Sequence, residues 1–324
     1  MMTPLVSIIM PGYNKARFLP AALESLQAQT CRDWELVFVD DCSTDNTASI
    51  AERYSAADNR IRVLANSRNR GANHCRNRGL EAAAGEYLLF MDADDLLAPA
   101  CLENRLNYLK AHPELNAAVF TMAVFDQEIG DRERKWVPSA AEPLKSFLAH
   151  ELPWQTMQPI WRTADMRLAG GFDESFPRLQ DVELHTRMLM DNQLTIGQVS
   201  GEPDCFLRIG EERMNFSPYN FLSRWVQSAL LYYAKFYEPA RRKGLDRLLL
   251  GTIFHAYMQL LIYYKRGRLT RQEFSELEAR LLDRSILQGL KTGKSILFRL
   301  LKSYNLLPAR IPGINKTLNL LIKS

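Results

Sequence analysis

The sequence lacks both glycine-rich motifs that commonly bind phosphate groups. No Gly-x-Gly-x-x-Gly follows the first predicted strand, and no Gly-x-x-x-x-Gly-Lys-Ser/Thr occurs anywhere in the chain. These absences exclude a dinucleotide-binding fingerprint and a P-loop. A phosphate-bearing ligand would therefore need another source of positive charge, such as Mg²⁺ or Mn²⁺ held by oxygen ligands.

Cysteine is also scarce. The five cysteines are odd in number and form no Cys-x-x-Cys pair, which argues against a disulfide framework and against a structural zinc site. No basic leader precedes the first apolar run, so the N-terminus does not have the pattern of a signal peptide. We therefore expect a cytoplasmic location.

Acidic residues are missing from the last forty positions. Residues 285–324 contain seven of the 41 basic residues and none of the 37 acidic ones. Apolar residues recur there at helical spacing, which fits a basic amphipathic helix on anionic lipid, as in peripheral association with the inner face of a membrane. The alternative, slightly favoured, is a helix packed on the rest of the protein. Nucleic acid is not expected as a partner, because no recognition motif accompanies the charge.

The sequence does contain an alternation of strands and helices. In order, the pattern predicts strand 6–10, a helix with Leu19, Leu23 and Leu26 on one face, strand 36–39, a helix capped by Ser43 or Thr44, strand 61–64, a helix over about 72–84, and strand 87–91. Such alternation predicts an α/β fold, with a mostly parallel sheet flanked by helices.

Polar clusters follow the four predicted strands directly, at residues 11–14, 40–45, 69–71 and 92–95. Ligands of such sheets bind outside the carboxyl ends of the strands, so we expect the clusters to share one site. The sequence Asp92-Ala93-Asp94-Asp95 crowds three carboxylates, which repel one another unless a cation or ligand donors lie among them. Taken alone, each cluster could equally be a solvated turn or a helix cap.

These motifs, in this order, resemble a family 2 glycosyltransferase of GT-A fold. The resemblance covers roughly residues 5–210 and rests on the segments 6–14, 39–45, 76–79 and 85–95. It implies an inverting enzyme with a nucleotide-sugar donor, for which UDP is the expected nucleotide, and a divalent metal, Mn²⁺ or Mg²⁺.

The resemblance also implies where the nucleotide binds. Pro11, Tyr13 and Asn14 would contact it, with the Tyr13 ring against the nucleobase. Asp41 would accept a hydrogen bond from the base, and Asp40 would lie nearby.

The diphosphate end of the donor falls on the acidic cluster. By the resemblance, Asp92 faces the ribose, Ala93 lies beside it, and Asp94 binds the metal. Arg76 is a candidate for the diphosphate, although it could equally be a surface helix residue. The family often has Arg-x-His where this chain has Arg208-Ile209-Gly210, which puts a third protein ligand of the metal in doubt.

A catalytic base and an acceptor side are implied in the same way. The segment containing Gly171, Phe172 and Asp173 resembles the acceptor side of the family, and Asp181 aligns with the family's general base. Gln180 replaces a neighbouring Glu, which should leave the pKa of the base less elevated than in Glu-Asp relatives. An acid that complements the helix dipole is the structural alternative for Asp181.

Trp154 could stack on a sugar face, since an aromatic surface suits a ring of C–H groups. A tryptophan of the hydrophobic core is at least as consistent with the sequence.

The sequence predicts a catalytic domain over residues 1–215 and a helical C-terminal region over 216–324. Within the second, Thr270 and Glu273 have the spacing of a capping box. The apolar stretch 248–264 is short and contains His255 and Gln259, so a buried helix is expected rather than a membrane-spanning one.

The expected function is sugar transfer from a nucleotide diphosphate to a hydroxyl of a glycan or lipid-linked acceptor, of the kind used in surface-polysaccharide assembly. Two alternatives are a sugar nucleotidyltransferase and a nucleotide- or carbohydrate-binding module without turnover.

Overall fold

Seven strands form one mixed sheet in the computed structural model, which describes residues 4–191, 194–209 and 217–282. The strands, in chain order, are β1 (Val6–Gly12), β2 (Trp34–Asp40), β3 (Ile61–Ala65), β4 (Tyr87–Phe90), β5 (Leu96–Leu97), β6 (Ala117–Phe120), β7 (Met122–Phe125), β8 (Lys135–Trp136), β9 (Pro159–Arg162), β10 (Ile196–Val199) and β11 (Cys205–Arg208). The order in the main sheet is β10-β6-β9-β4-β1-β2-β3. Only β9 runs antiparallel to its neighbours in this sheet.

The helices are α1 (Leu19–Gln27), α2 (Thr47–Ala57), α3 (Ala72–Ala82), α4 (Cys101–Ala111), α5 (Pro143–Leu148), α6 (Thr163–Leu168), α7 (Gln180–Met190), α8 (Pro218–Arg242), α9 (Leu250–Lys265) and α10 (Arg271–Leu281). The predicted strand and helix alternation of the first 91 residues is confirmed. Burial of β1, β2 and β4 explains their nearly continuous apolar sequences.

The predicted cap of α2 is wrong. The helix begins at Thr47, and its N-cap residue makes no side-chain cap hydrogen bond. The two predicted capping residues bind the loop after β1 instead: the Ser43 hydroxyl accepts from the Asn14 amide at 3.1 Å, and the Thr44 amide donates to Asn14 Oδ1 at 2.8 Å. A contact between loops thus replaces the local cap that the sequence pattern suggested.

A second sheet, of order β5-β11-β7-β8, lies in the same unit and is anchored by a buried ion pair. Arg105 of α4 is fully buried and donates two hydrogen bonds to the Asp204 carboxylate, at 2.8 and 2.7 Å. Its third contact is to the Met157 carbonyl oxygen at 2.9 Å. Burial opposes the charge of Arg105, but the Asp204 carboxylate outweighs it and raises the pKa of the guanidinium. Asp204 immediately precedes β11 and so fixes the start of that strand.

Asp204→Ala is expected to lower the free energy of unfolding by about 3–5 kcal/mol, because it leaves the Arg105 charge buried without its partner. Urea denaturation measures the change. Glu202→Ala is the control, since the Glu202 carboxylate is exposed and pairs with Lys135 at 3.2 Å on the surface; it should change stability by less than about 1 kcal/mol. Equal losses in the two variants would contradict the anchoring role.

The described residues form two compact units. One comprises residues within 1–141, 153–174 and 180–214, and the other those within 142–152, 175–179 and 215–324. Both sheets belong to the first unit. The second unit thus includes two short segments that lie inside the range 1–215, which the sequence assigned to the catalytic domain.

The second unit is helical, and its core is formed by α8, α9 and α10, with side chains such as Val226, Tyr257 and Leu277 packed together. The capping box is confirmed: Thr270 Oγ1 accepts from the Glu273 amide, and the Glu273 carboxylate accepts from the Thr270 amide. Among the described helices, none combines the length and the apolar character needed to span a membrane. The basic tail 285–324 lies outside the described residues.

Candidate active site

A cavity of about 190 Å³ opens beyond the carboxyl ends of β1 and β4, next to α3. Three of the four predicted polar clusters contribute to it. Its lining residues are Pro11, Gly12, Tyr13, Lys15, Asp41, Ala72, Cys75, Arg76, Asp92, Ala93 and Asp94. We call it the edge pocket. The parallel register of β1, in which Gly12 lies opposite Asp40 and Ile9 opposite Phe90, brings these loops side by side.

Tyr13 offers the edge pocket an aromatic ring that is 45% exposed. Few large apolar side chains in the described chain are so exposed, and a ring in that position can stack on a planar ligand. Pro11 and Gly12 bring the backbone of β1 to the same pocket.

Asp41 is held by the loop that follows β3. Its carboxylate accepts from the side-chain amide of Asn66 at 2.7 Å and from the backbone amides of Arg70 and Gly71 at 2.9 and 2.7 Å. Burial raises the pKa of Asp41, but these hydrogen bonds outweigh burial and leave the pKa below its ordinary value. Asp41 is therefore an ionised acceptor on the wall of the edge pocket.

Asn14 and Asp40, both predicted to bind nucleotide, are not among the residues that line the edge pocket. Asn14 is exposed, adopts a positive φ of 53°, and joins the loops after β1 and β2 through Ser43 and Thr44. Asp40 is buried and accepts from the Ser43 amide at 3.0 Å. In this structure, hydrogen bonds of both residues hold in place the loops that carry Tyr13 and Asp41.

Lys15 forms an ion pair with Asp94 inside the edge pocket. The Lys15 ammonium donates to Asp94 Oδ2 at 2.6 Å, and the Asp94 carboxylate is nearly buried. Sequence reasoning missed Lys15; the one available signal was its position directly after Asn14, at the end of β1. The pair shows that the Asp94 oxygen is accessible to a cation.

Arg76 is 6% exposed, so the alternative of a surface helix residue is wrong. Its Nη2 donates to Asp92 Oδ1 at 2.7 Å, and its guanidinium lies 5.1 Å from the centre of the Phe172 ring. These contacts hold a positive charge at the wall of the edge pocket, where an anionic ligand would be attracted.

Three carboxylates form the acidic cluster. Asp92, Asp94 and Asp95 each place one oxygen within 4.8 Å of the others, a spacing suited to a cation with oxygen ligands. Asp95 is the most buried of the three and accepts from the backbone amide of Arg208 at 2.9 Å. The three carboxylates therefore fit a divalent metal. Gly210 lies outside the described residues.

Asp181 stands in the first turn of α7 and is partly exposed. Burial raises the pKa of its carboxyl above the ordinary value, although the Val182 amide and the charge of Arg76 act in the opposite direction. Asp92 adds a smaller contribution that raises it. Asp181 is not among the residues that line the edge pocket, but two residues that do line it, Arg76 and Asp92, influence its pKa in opposite directions.

Three of the four residues predicted on the acceptor side are buried instead. The Trp154 indole is fully buried and packs edge-on against His185, 5.9 Å between ring centres, so its ring is not available to a sugar. Phe172 is 3% exposed and packs edge-on against Phe90. Trp154 is therefore a residue of the hydrophobic core, and the Phe172 ring packs against the Arg76 guanidinium.

The backbone of the segment that contains Gly171 and Asp173 is held by helix α3. Gly171 has φ of 67°, and a Cβ built there would lie 2.5 Å from Asn77 Oδ1, so no other residue fits without displacement. Asn77 binds the amide and carbonyl of Phe172 at 2.7 and 2.8 Å, and Asn73 donates to the Asp173 carbonyl oxygen at 2.9 Å. Helix α3 thereby holds the whole segment.

Comparison with known proteins decides the family. The model of glycosyl transferase family 2 matches residues 7–175. The chain belongs to this family. It is a glycosyltransferase, which sets aside the nucleotidyltransferase and the module without turnover.

Relatives of known sequence or structure agree. EpsE of Bacillus subtilis strain 168, named as a glycosyltransferase, is 32% identical over 214 residues, 63% of this chain and 76% of its own. TarS of S. aureus (residues 1–349) is 19% identical, covers 89% of this chain and 93% of its own, and superposes with a TM-score of 0.57. It is also known in complex with UDP and with UDP-GlcNAc.

A mannosyltransferase of Pyrobaculum calidifontis, PcManGT, solved with GDP-Man and Mn²⁺, is 20% identical over all of this chain and 88% of its own, with a TM-score of 0.52. Because both solved structures share only 19–20% identity with this chain, the similarity to them is evidence for the fold alone. The predicted GT-A fold is confirmed.

Proposed function

We propose that this family 2 glycosyltransferase transfers a sugar, with inversion, from a nucleoside diphosphate to a hydroxyl of a glycan or lipid-linked acceptor. The expected nucleotide is UDP. The observation that carries the proposal is the edge pocket. It combines an exposed aromatic ring, an ionised carboxylate, two cations and two carboxylates of the acidic cluster in one cavity. These are the groups that a base, a diphosphate and a metal require.

In this proposal the nucleobase lies on the Tyr13 ring and donates a hydrogen bond to Asp41, whose lowered pKa keeps it an acceptor. Arg76 and Lys15 attract the diphosphate. Asp94, with Asp92 beside it, would hold Mn²⁺ or Mg²⁺. When bound, the metal offsets negative charge on the departing diphosphate.

Asp181 is the proposed base. It would take the proton from the acceptor hydroxyl as that oxygen attacks the anomeric carbon, on the side opposite the diphosphate. Its raised pKa makes it a stronger proton acceptor than an ordinary aspartate, and its coupling to Arg76 and Asp92 supports a position next to the donor.

A panel of nucleotide sugars tests the proposed function. Purified protein is heated with UDP-, GDP- and dTDP-linked sugars in the presence of Mn²⁺, and unfolding is followed by differential scanning fluorimetry. We expect one nucleobase series to raise the melting temperature, because ligands that bind only the folded state stabilise it. Absence of stabilisation by any nucleotide, with or without metal, would contradict the proposal.

Lys15→Met should strengthen the binding of Mn²⁺ alone by about tenfold, because it removes the ammonium that already neutralises Asp94. The same change should weaken UDP binding without metal, since the pocket loses a positive charge. Calorimetric titrations measure both. Lys110→Met, which removes an exposed lysine at the end of α4, should alter neither affinity; parallel changes in the two variants would exclude a local effect.

The pH dependence of transfer should reflect Asp181. Because the base acts as a carboxylate, kcat/KM should fall as the pH drops through its pKa, and burial places that pKa above the ordinary aspartate value. The charge of Arg76 lowers this pKa, so Arg76→Met should move the acid limb to higher pH. An acid limb that stays in place in Arg76→Met would separate Asp181 from the observed titration.

A further inference from the structure

A second cavity, of about 120 Å³, shares Asp92 with the edge pocket. Asp92 lines both cavities, so a ligand that extends past the acidic cluster would enter it. The volume is well above the roughly 10–15 Å³ that accommodates one water molecule. There is room for a ring-sized group.

The lining of this cavity suits a sugar ring. Apolar side chains such as Phe90 and Met157 form part of the wall, and four polar residues, Asp92, Asp95, Gln155 and Thr156, form the rest. A pyranose presents C–H faces and hydroxyl edges, which match apolar surface and hydrogen-bonding groups respectively.

Gln155 and Thr156 are the polar residues with hydrogen-bonding capacity to spare. Both side chains are half-buried, and neither has a hydrogen-bond partner in the part of the chain described by the structure. Their backbone is fixed by the buried Gln158, whose Oε1 accepts from the Gln155 amide at 2.8 Å and whose Nε2 donates to the Phe120 carbonyl oxygen at 2.7 Å. The two side chains are thus held at the wall without being used by the fold.

The charge of the lining points to a class of sugar. Two of the described lining residues are aspartates, and none is lysine, arginine or histidine. A sugar that carries a carboxylate would add negative charge beside Asp92 and Asp95, and the cation next to them, Arg76, already pairs with the Asp92 carboxylate at 2.7 Å. Hydroxyl and acetamido groups bring no such cost, because they can donate hydrogen bonds to the carboxylates.

We propose that this cavity binds the sugar ring of the nucleotide-linked donor, that Gln155 and Thr156 hydrogen-bond its hydroxyl or acetamido groups, and that it selects a sugar without a carboxylate. This inference rests on the proposed function and names the substrate class of the same enzyme. In this proposal, Gln155 and Thr156 recognise the sugar, and the buried Trp154 does not.

Calorimetry with Mn²⁺ present tests the proposal on the intact chain. The dissociation constants of UDP, UDP-GlcNAc and UDP-glucuronic acid are measured for the wild type, Gln155→Ala, Thr156→Val and the control Gln272→Ala, an exposed glutamine of α10. GDP and GDP-mannose form a second series. For Gln155→Ala, we expect the dissociation constant of the nucleotide sugar, divided by that of the nucleotide, to rise about tenfold, which is the effect of one lost hydrogen bond. The affinity for the nucleotide itself should not change. In the wild type, UDP-glucuronic acid should bind more weakly than UDP-GlcNAc.

An unchanged ratio in both cavity variants would overturn the assignment, as would equal affinity of the wild type for the neutral and the acidic sugar. These failures differ from that of the proposed function, in which the wild type would bind no nucleotide at all and the inference would fall with it. A loss of nucleotide affinity equal to the loss of nucleotide-sugar affinity would also overturn it, because it would place the side chains at the nucleotide.

Discussion

Asp181→Asn is expected to lower the rate of sugar transfer by on the order of 10²-fold or more, since it removes the proposed proton acceptor for the acceptor hydroxyl. The substitution keeps the size of the side chain and its place in the first turn of α7. Nucleotide binding should persist, because Tyr13, Asp41 and Arg76 line the edge pocket independently of α7. Initial rates of nucleoside diphosphate release with acceptor present give the first quantity, and calorimetry the second.

Asp191→Asn provides the matched control. Asp191 is an exposed aspartate directly after the C-terminal end of α7, so the same chemical change is made at the opposite end of the same helix. Its transfer rate should be close to that of the wild type. Transfer by Asp181→Asn within a few-fold of the control would remove Asp181 from the catalytic role and leave it as an acid that complements the helix dipole.

Asp94→Ala is expected to abolish the dependence of nucleotide binding on Mn²⁺. Loss of a ligand should weaken metal binding by about 10²-fold, since even indirect supports of a metal site cost 10- to 100-fold when removed. The substitution also releases Lys15 from its ion pair at 2.6 Å, and the freed ammonium can contact the diphosphate. Metal-free nucleotide binding should therefore be retained. Titrations of UDP with Mn²⁺ and with EDTA separate the two contributions.

The control for Asp94 is Asp33→Ala. Asp33 is exposed and immediately precedes β2, at the opposite end of that strand from Asp40 and Asp41. This variant should keep the full effect of Mn²⁺. If Asp94→Ala responds to Mn²⁺ as the control does, Asp94 is not a ligand of the metal, and the ion pair with Lys15 is its structural role.

The parts of the site that lie next to strand ends could be predicted from the sequence. Apolar runs locate β1, β2 and β4, and the parallel arrangement then requires the residues that follow them to share one edge. Tyr13, Asp41, Asp92 and Asp94 meet in the edge pocket for this reason. This prediction depends on strand burial and sheet topology rather than on any single side-chain contact.

The parts that depend on tertiary partners could not be predicted. The partner of Lys15 is 79 residues away, so nothing local marks the pair. Trp154 is preceded by a proline and followed by polar residues, a local sequence that fits a binding loop and a core position equally well; only the packing against His185 distinguishes them. No role for Asp95 could be inferred from the sequence, because the hydrogen bond that its carboxylate accepts from the Arg208 amide joins residues 113 positions apart.

The most direct test is a crystal structure of the protein with UDP and Mn²⁺, with anomalous scattering collected at the manganese edge. We expect one manganese peak against the Asp94 carboxylate, a uracil ring on Tyr13 within hydrogen-bonding distance of Asp41, and Lys15 no longer paired with Asp94. A nucleotide bound away from the edge pocket, or an intact pair of Lys15 with Asp94 beside an ordered nucleotide and metal, would contradict this expectation.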